Sequence, residues 1–243
     1  MIWLSFNSDT TQWSRLADKY EVRKFITEKG LSDLLVPLYG VWNSVEELRW
    51  SDLPEKFVIK LNNGSGDSLI VRDKSKITEQ EVRNHLYRCL KVNLGRDSAE
   101  PHYSRIKPKI IAEQLLEPKD GNLVDYKVWC FNGIPYCFFT ASNRDIAKHT
   151  AAFNLYDLDW NKHNEWLNEE FRNDVDVKKP THFKEMLEYA SRLSMGFPEV
   201  RVDFYEVNDN VYFGEMTFTT FAARNRCYTP ETLRRMGNMF SVK

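Results

Sequence analysis

The chain has 243 residues, a formal net charge of −1, 42% hydrophobic and 28% charged residues. That is long enough for a substantial core, in one large domain or two tightly joined lobes. The near-neutral balance argues against bulk nucleic-acid binding, and no apolar run approaches the roughly 18 residues that span a membrane. Met1-Ile-Trp-Leu-Ser-Phe6 is apolar, but it lacks a basic flank and is too short for a signal peptide. Cys89, Cys130, Cys137 and Cys227 form no CxxC pair, which argues against a zinc or redox motif; free thiols suit the cytoplasm.

In chain order, Ser8 to Gly30 reads as helical. Asp9 or Thr10 offers a cap, Trp13, Leu16, Ala17 and Tyr20 form an apolar stripe, and a second piece from Val22 to Lys29 stops at Gly30. Lys19 and Arg23 lie four apart on one face, the pattern of a solvated helix surface. Val36 to Trp42 is strand-like, and Ser44-Val-Glu-Glu47 has the form of a capping box opening a short helix. Thr78-Glu-Gln-Glu81 is a second capping box, leading a helix with Val82, Leu86 and Leu90 on one face to about Val92. A strand is expected over Ile110 to Leu116, and Asn132-Gly133 marks a hairpin between Asp125–Phe131 and Ile134–Thr140. Phe183 to Met195 is an amphipathic helix, and Thr229-Pro230 starts the last one.

Two stretches carry chemistry. In Phe57-Val-Ile-Lys-Leu-Asn-Asn-Gly-Ser-Gly-Asp-Ser-Leu-Ile-Val71 an apolar strand bearing Lys60 enters a glycine loop and leaves through a second apolar run. Glycine loops let backbone N–H groups approach an anion, and a lysine at the entrance adds a charge suited to phosphate. The loop lacks Gly-Lys-Ser/Thr and is followed by a strand, so it is neither a P-loop nor a dinucleotide fingerprint. A plain hairpin with a polar turn is the alternative.

The second stretch is a hairpin. Glu199 to Tyr205 alternates, Asn208-Asp-Asn210 turns, and Val211 to Phe218 returns. A three-residue loop sets Asp203 opposite Glu215 and Arg201 opposite Thr217 on one face. Carboxylates directly opposite repel unless a cation sits with them, and two carboxylates completed by phosphates and water are the usual setting for Mg²⁺. Two solvent-facing acids in an edge hairpin are the alternative. Asp157-Leu-Asp159 has the form of a sugar-nucleotide motif, but its aromatic strand-turn setting points to structural use.

Taken together, Asp18-Lys-Tyr-Glu-Val-Arg23, Val36-Pro-Leu-Tyr-Gly40, Leu53 to Gly66, Asp125 to Gly133, Tyr156 to Trp160 and the late hairpin resemble the TupA-like branch of the ATP-grasp superfamily, a branch of bacterial teichuronopeptide and capsular polysaccharide synthesis. The resemblance implies an α+β fold whose two lobes, built on antiparallel sheets, grip ATP between them. It divides the chain into a reduced substrate platform (1–50), a small lobe with the glycine-loop clasp (51–116) and a large lobe with the Mg²⁺ hairpin (117–243). On that pattern Lys60 and Lys127 contact ATP phosphates under Gly64, Ser65 and Gly66. Glu113, Gln114, Leu115 and Leu116 present backbone to adenine, Glu117 or Asp120 reaches the ribose, and Asp203 and Glu215 hold Mg²⁺. Thr217 stands where the family often has asparagine, and the proline–glycine turn after it is replaced by Thr219-Thr-Phe-Ala-Ala223.

The implied reaction is an ATP- and Mg²⁺-dependent ligation through an acyl phosphate, with Lys60 and Arg201 as catalytic residues. Arg144, Lys148, His149 and Arg224 are candidates for an acidic substrate, with Arg226 beside the last. The substrates would be a saccharide carboxylate, such as a uronic acid, and an amine or amino acid. No nucleic-acid partner and no transmembrane segment are expected. Self-association and association with polysaccharide-synthesis proteins both stay open. A phosphotransferase on the same clasp and a degenerate binding module are the competing readings. Asp203→Asn with Glu215→Gln is expected to abolish turnover with the fold intact.

Overall fold

The computed structural model describes residues 1–98, 100–119, 121–145 and 150–240. Its helices and strands are α1 (Ile2–Asn7), α2 (Thr11–Ala17), α3 (Val22–Glu28), β1 (Leu38–Trp42), β2 (Phe57–Leu61), β3 (Leu69–Val71), α4 (Glu79–Cys89), α5 (Leu94–Asp97), β4 (Ile110–Glu113), β5 (Asp125–Phe131), β6 (Ile134–Asp145), β7 (Thr150–Tyr156), α6 (Phe183–Ser194), β8 (Glu199–Val207), β9 (Asn210–Thr217) and α7 (Pro230–Gly237). They form two compact units, Trp3–Leu116 and Glu117–Lys243, the latter with Met1–Ile2. Among the described residues no helix is long and apolar enough to cross a membrane.

In the first unit four antiparallel strands lie in the order β1-β4-β2-β3. Alternation along β2 buries Phe57, Ile59 and Leu61 and turns Val58 and Lys60 to the other face. Val82 and Leu86 of α4 seal the buried face, each at 0% exposure. The Thr78 capping box forms in full, with Thr78 and Glu81 each accepting from the other's backbone. The Ser44 box does not open a helix. Val45 and Leu48 pack into the sheet core, and the Glu47 carboxylate accepts from the Asn43 amide at 2.9 Å. The long N-terminal helix is broken at Asp18, whose carboxylate accepts from the Tyr20 and Glu21 amides at 2.8 and 3.1 Å. The strand expected to Leu116 ends at Glu113, because the Gln114 amide turns to the Pro37 carbonyl.

His102 sits fully buried in this unit, its ring 5.8 Å from Trp13 and 4.4 Å from Tyr103, and neither ring nitrogen has a hydrogen-bond partner among the described residues. Burial, with Arg105 adding to it, lowers its pKa to about 4. The unfolded chain takes up this proton near pH 6.5 and the native one only near 4, so stability falls as the pH drops through that window. The loss is expected to reach about 3 kcal/mol. Urea melts of wild type and His102→Leu at pH 7 and pH 4.5 check it: the gap between the two pH values should shrink in the variant.

The second unit is a five-stranded antiparallel sheet in the order β7-β6-β5-β8-β9. Asn132 and Gly133, both at positive φ, make the tight β5–β6 turn. On one face α6 lays down Phe183, Met186, Ala190 and Leu193; burying Met186 or Leu193 stabilises the unit by about 1.5–3 kcal/mol each. On the other, Trp129, Phe131, Cys137, Phe139 and Leu155 pack under the C-terminal segment, and the Trp129 indole donates to the Tyr228 hydroxyl at 2.8 Å. Asp157 does serve its own turn, accepting from the Asp159 and Asn161 amides.

The β8–β9 hairpin has the expected pairing, Asp203 opposite Glu215 and Arg201 opposite Thr217, by a different route. Its loop has two residues, Asn208 and Asp209, at φ 52° and 63°, because Val207 already pairs with Asn210. The register is recovered by a bulge: Phe204 faces Phe213 while Asp203 faces Glu215, leaving Gly214 as the extra residue. A Cβ on Gly214 would lie 3.1 Å from the Asp203 carbonyl oxygen and 3.2 Å from the Tyr205 ring. Gly214→Ala is therefore expected to cost about 1–3 kcal/mol, read as a lower urea midpoint at unchanged slope.

Candidate functional site

Two constellations are present, one in each unit. In the first, Lys60 Nζ lies 2.5 Å from Glu113 Oε2, and Arg23 reaches the other oxygen of the same carboxylate at 3.7 Å. Lys60 and Glu113 are diagonal neighbours, since Lys60 pairs with Ile111 and Val58 with Glu113. Glu113 is 8% exposed, so its carboxylate is held between two cations with little access to water. Gln114, Leu115 and Leu116 continue as half-buried irregular chain.

The glycine loop beyond Lys60 is tied down on three sides. Asp67 Oδ2 accepts from the Leu61 amide at 2.8 Å, closing the loop on itself, and a Cβ on Gly64 would overlap that carboxylate. Asn62, at 0% exposure, donates to Asp18 Oδ2 at 2.8 Å and to the Lys107 carbonyl at 3.2 Å, and accepts from the Lys109 amide at 2.7 Å. Lys19 Nζ donates to the Gly64 carbonyl at 2.6 Å. Ser65 and Gly66 form the exposed tip. Lys19 and Arg23 are thus not a solvated helix face: Lys19 sits in the break after α2, and both side chains are bound to the sheet and its loop. Their partners lie 45 and 90 residues away, and Asp18-Lys19 in the first matching segment was the available signal.

In the second unit Lys127 pairs with Asp203 across β5 and β8, and Asp203 with Glu215 across β8 and β9. Arg201 Nε donates to Asp203 Oδ1 at 2.7 Å; its terminal nitrogen reaches Asp203 Oδ2 at 2.8 Å, Glu215 Oε1 at 3.2 Å and the Thr217 hydroxyl at 3.1 Å. Lys127 Nζ bonds closely to Asp203 Oδ2 and lies 3.4 Å from Asp125 Oδ2. Burial works against the charged form of Asp203, but Arg201 and Lys127 outweigh it and hold the carboxyl below its ordinary value. Burial likewise disfavours the Arg201 cation, and Asp203 more than offsets it, raising that pKa. The cation that lets the two acids face each other is therefore supplied by the chain itself.

Of the residues expected at an acidic substrate, Arg144 places its half-exposed guanidinium against the buried Asp125 carboxylate. Arg224 is exposed, and its amide bonds to the Phe221 carbonyl in a turn where Phe221, Ala222 and Ala223 all have positive φ. Lys148 and His149 lie outside the described residues, as does Asp120, while Glu117 is exposed and its carbonyl accepts from Asn208. Asp125 is a residue the sequence reading did not single out, although strand alternation puts it on the face of Lys127.

A family model described as TupA-like ATPgrasp matches residues 1–241. The chain belongs to the TupA-like ATP-grasp family. No curated protein matches it. Among solved structures, this TupA-like chain is similar to D-alanine–D-alanine ligase from Helicobacter pylori (13% identity, TM-score 0.51, 93% of this chain and 61% of that one). It is similar to the ATP-grasp ligase PsnB complexed with minimal precursor (12%, 0.51, 96% and 64%). It is also similar to the biotin carboxylase domain of 2-oxoglutarate carboxylase from Hydrogenobacter thermophilus, in complex with MgADP, ADP and bicarbonate (12%, 0.51, 84% and 40%). These likenesses establish an ATP-grasp fold. The TupA-like chain spans about two fifths to two thirds of the length of those proteins.

The family implies a divalent cation, and the donor set suits one. Asp203, Glu215 and Thr217 offer only oxygen on one sheet face, and in the structure Arg201 is bonded to all three. Among the described residues no group of three or more His, Cys, Asp or Glu converges. An ion here would complete its shell from phosphate and water, as Mg²⁺ usually does.

Proposed function

We propose that this chain is an ATP- and Mg²⁺-dependent ligase that joins a carboxylate to an amine through an acyl phosphate. The observation that carries the reading is the Lys127–Asp203–Arg201–Glu215 constellation on one sheet face in a chain of the TupA-like ATP-grasp family. A carboxylate oxygen attacks the γ-phosphorus and ADP leaves; an amine then attacks the acyl carbon, phosphate leaves, and the amine nitrogen gives up a proton. Most of the catalysis would be positioning and charge neutralisation.

In this reading Lys60 and the loop Gly64-Ser-Gly66 bind the phosphates, with Lys19 holding the loop from behind and Lys127 adding a second charge. Glu113 to Leu116 lie along the adenine. Asp203 and Glu215 hold Mg²⁺, which supplies charge neutralisation at the phosphates. Arg201, fixed at Asp203, is aimed at the acyl phosphate. The acceptor is proposed to be a uronic acid or similar sugar carboxylate, joined to an amino acid or amine in surface-polysaccharide synthesis at the cytoplasmic side, with Arg144 and Arg224 on its carboxylate.

The test is calorimetry of ATP with and without Mg²⁺, followed by a screen of uronic acids against amines for ADP release and amide product. Mg²⁺-dependent binding with an amide product supports the reading. A phosphorylated hydroxyl product would replace it with a phosphotransferase, and binding without turnover with a binding module.

A further inference from the structure

This inference rests on the ligase reading above and concerns a residue that reading leaves unused. In the structure both oxygens of Asp203 are taken, Oδ1 by Arg201 Nε and Oδ2 by Lys127 and the terminal nitrogen of Arg201. A divalent cation needs a carboxylate oxygen that is not committed to a lysine. Lys127 cannot simply let go, because its side chain is 9% exposed and an unpaired buried ammonium is strongly disfavoured. It needs a second carboxylate within reach of the same stem.

Asp125 is that carboxylate. It lies two residues before Lys127 on β5, on the same face, and its Oδ2 is already 3.4 Å from Lys127 Nζ. The side chain is 4% exposed, yet Oδ1 is buried with no hydrogen-bond partner among the described residues, while Oδ2 is shared with the Arg144 guanidinium. A buried carboxylate oxygen left unsatisfied is costly, so spare accepting capacity held beside Lys127 calls for an explanation. We infer that Asp125 is a positioning residue for Lys127: it receives the ammonium when Asp203 turns its Oδ2 to a divalent cation. Rotation of the lysine stem from its cross-strand partner to its same-strand partner is enough, with no movement of β5 or β8. Arg201 keeps its hold on Asp203, and the place on Oδ2 that Lys127 gives up is the one the cation takes.

The exchange makes Mg²⁺ uptake depend on Asp125 in a way that nucleotide binding alone does not. Without the Asp125 charge, Lys127 stays on Asp203 and competes with the metal. The experiment is a Mg²⁺ titration at saturating non-hydrolysable ATP analogue, followed by calorimetry, on the wild type, Asp125→Asn and Arg144→Gln. Asp125→Asn is expected to raise the Mg²⁺ midpoint about tenfold, with Mg²⁺-free nucleotide affinity within about twofold of wild type. Arg144→Gln, which keeps the Asp125 carboxylate, is expected to shift the midpoint less than about threefold.

An unchanged midpoint in Asp125→Asn overturns the inference. So do equal shifts in both variants, which would make Asp125 only an anchor for Arg144. A wild type with no Mg²⁺-dependent nucleotide binding overturns the ligase reading and this inference with it. The wild type also provides a test that needs no variant to fold. In a crystal structure with Mg²⁺ and the analogue, Lys127 Nζ should be within hydrogen-bond distance of Asp125 and off Asp203; Lys127 still on Asp203 overturns the exchange.

Discussion

Asp203→Asn is expected to abolish Mg²⁺-dependent turnover and to cost the fold about 3–5 kcal/mol. From sequence, substitution of the two hairpin acids touches turnover alone. The structure adds the second effect, because the Asp203 side chain is 2% exposed and is bonded by Arg201 and Lys127, themselves 8% and 9% exposed. Removing its charge leaves Arg201 to the one-third-exposed Glu215 and puts Lys127 on an Asp125 carboxylate that already serves Arg144. Glu215 is the internal control: its side chain is 34% exposed, so Glu215→Gln should lose turnover with at most about 1 kcal/mol of stability. Urea melts beside an ADP-release assay separate the two acids. Full activity in Asp203→Asn would remove this residue from the site, and equal stability losses would contradict the burial difference.

Lys60→Ala is expected to weaken ATP binding by about 10–100-fold, the loss of one charge-assisted hydrogen bond of roughly 1.5–3 kcal/mol. It should also destabilise the first unit by about 1–3 kcal/mol, because among the described residues Glu113 then keeps only Arg23, at 3.7 Å, as counter-ion. Calorimetry of nucleotide binding and a thermal melt read the two effects separately. Wild-type affinity in this variant would mean that the glycine loop is an ordinary hairpin.

The β8–β9 pairing was reached from sequence because two departures cancel: the loop is one residue shorter than expected, and the bulge at Gly214 restores the register that sets Asp203 opposite Glu215. The tight turn at Asn132-Gly133 and the Thr78 cap were legible because their chemistry is local. What escaped was non-local. Lys19 and Arg23 looked like a solvated pair because charge spacing on a helix does not name partners as far off as Gly64 and Glu113. The Ser44 box has the right letters, but Val45 and Leu48 are drawn into the sheet core, and tertiary packing overrode the local signal. The committed charges around Asp203 were also out of reach, since alternation gives a face and not which atoms on it touch.

The bulge at Gly214 has a bearing on how this hairpin tolerates changes of length over evolutionary time. Deleting Gly214 would leave Phe213 against Phe204 and bring the next residue, Glu215, against Asp203, so the ladder closes without a slip. A one-residue deletion between Glu215 and Phe218 would instead swing Thr217 or its neighbours to the opposite side. Single-residue gaps among relatives should therefore collect at this one position, and changes elsewhere in the two strands should come in pairs.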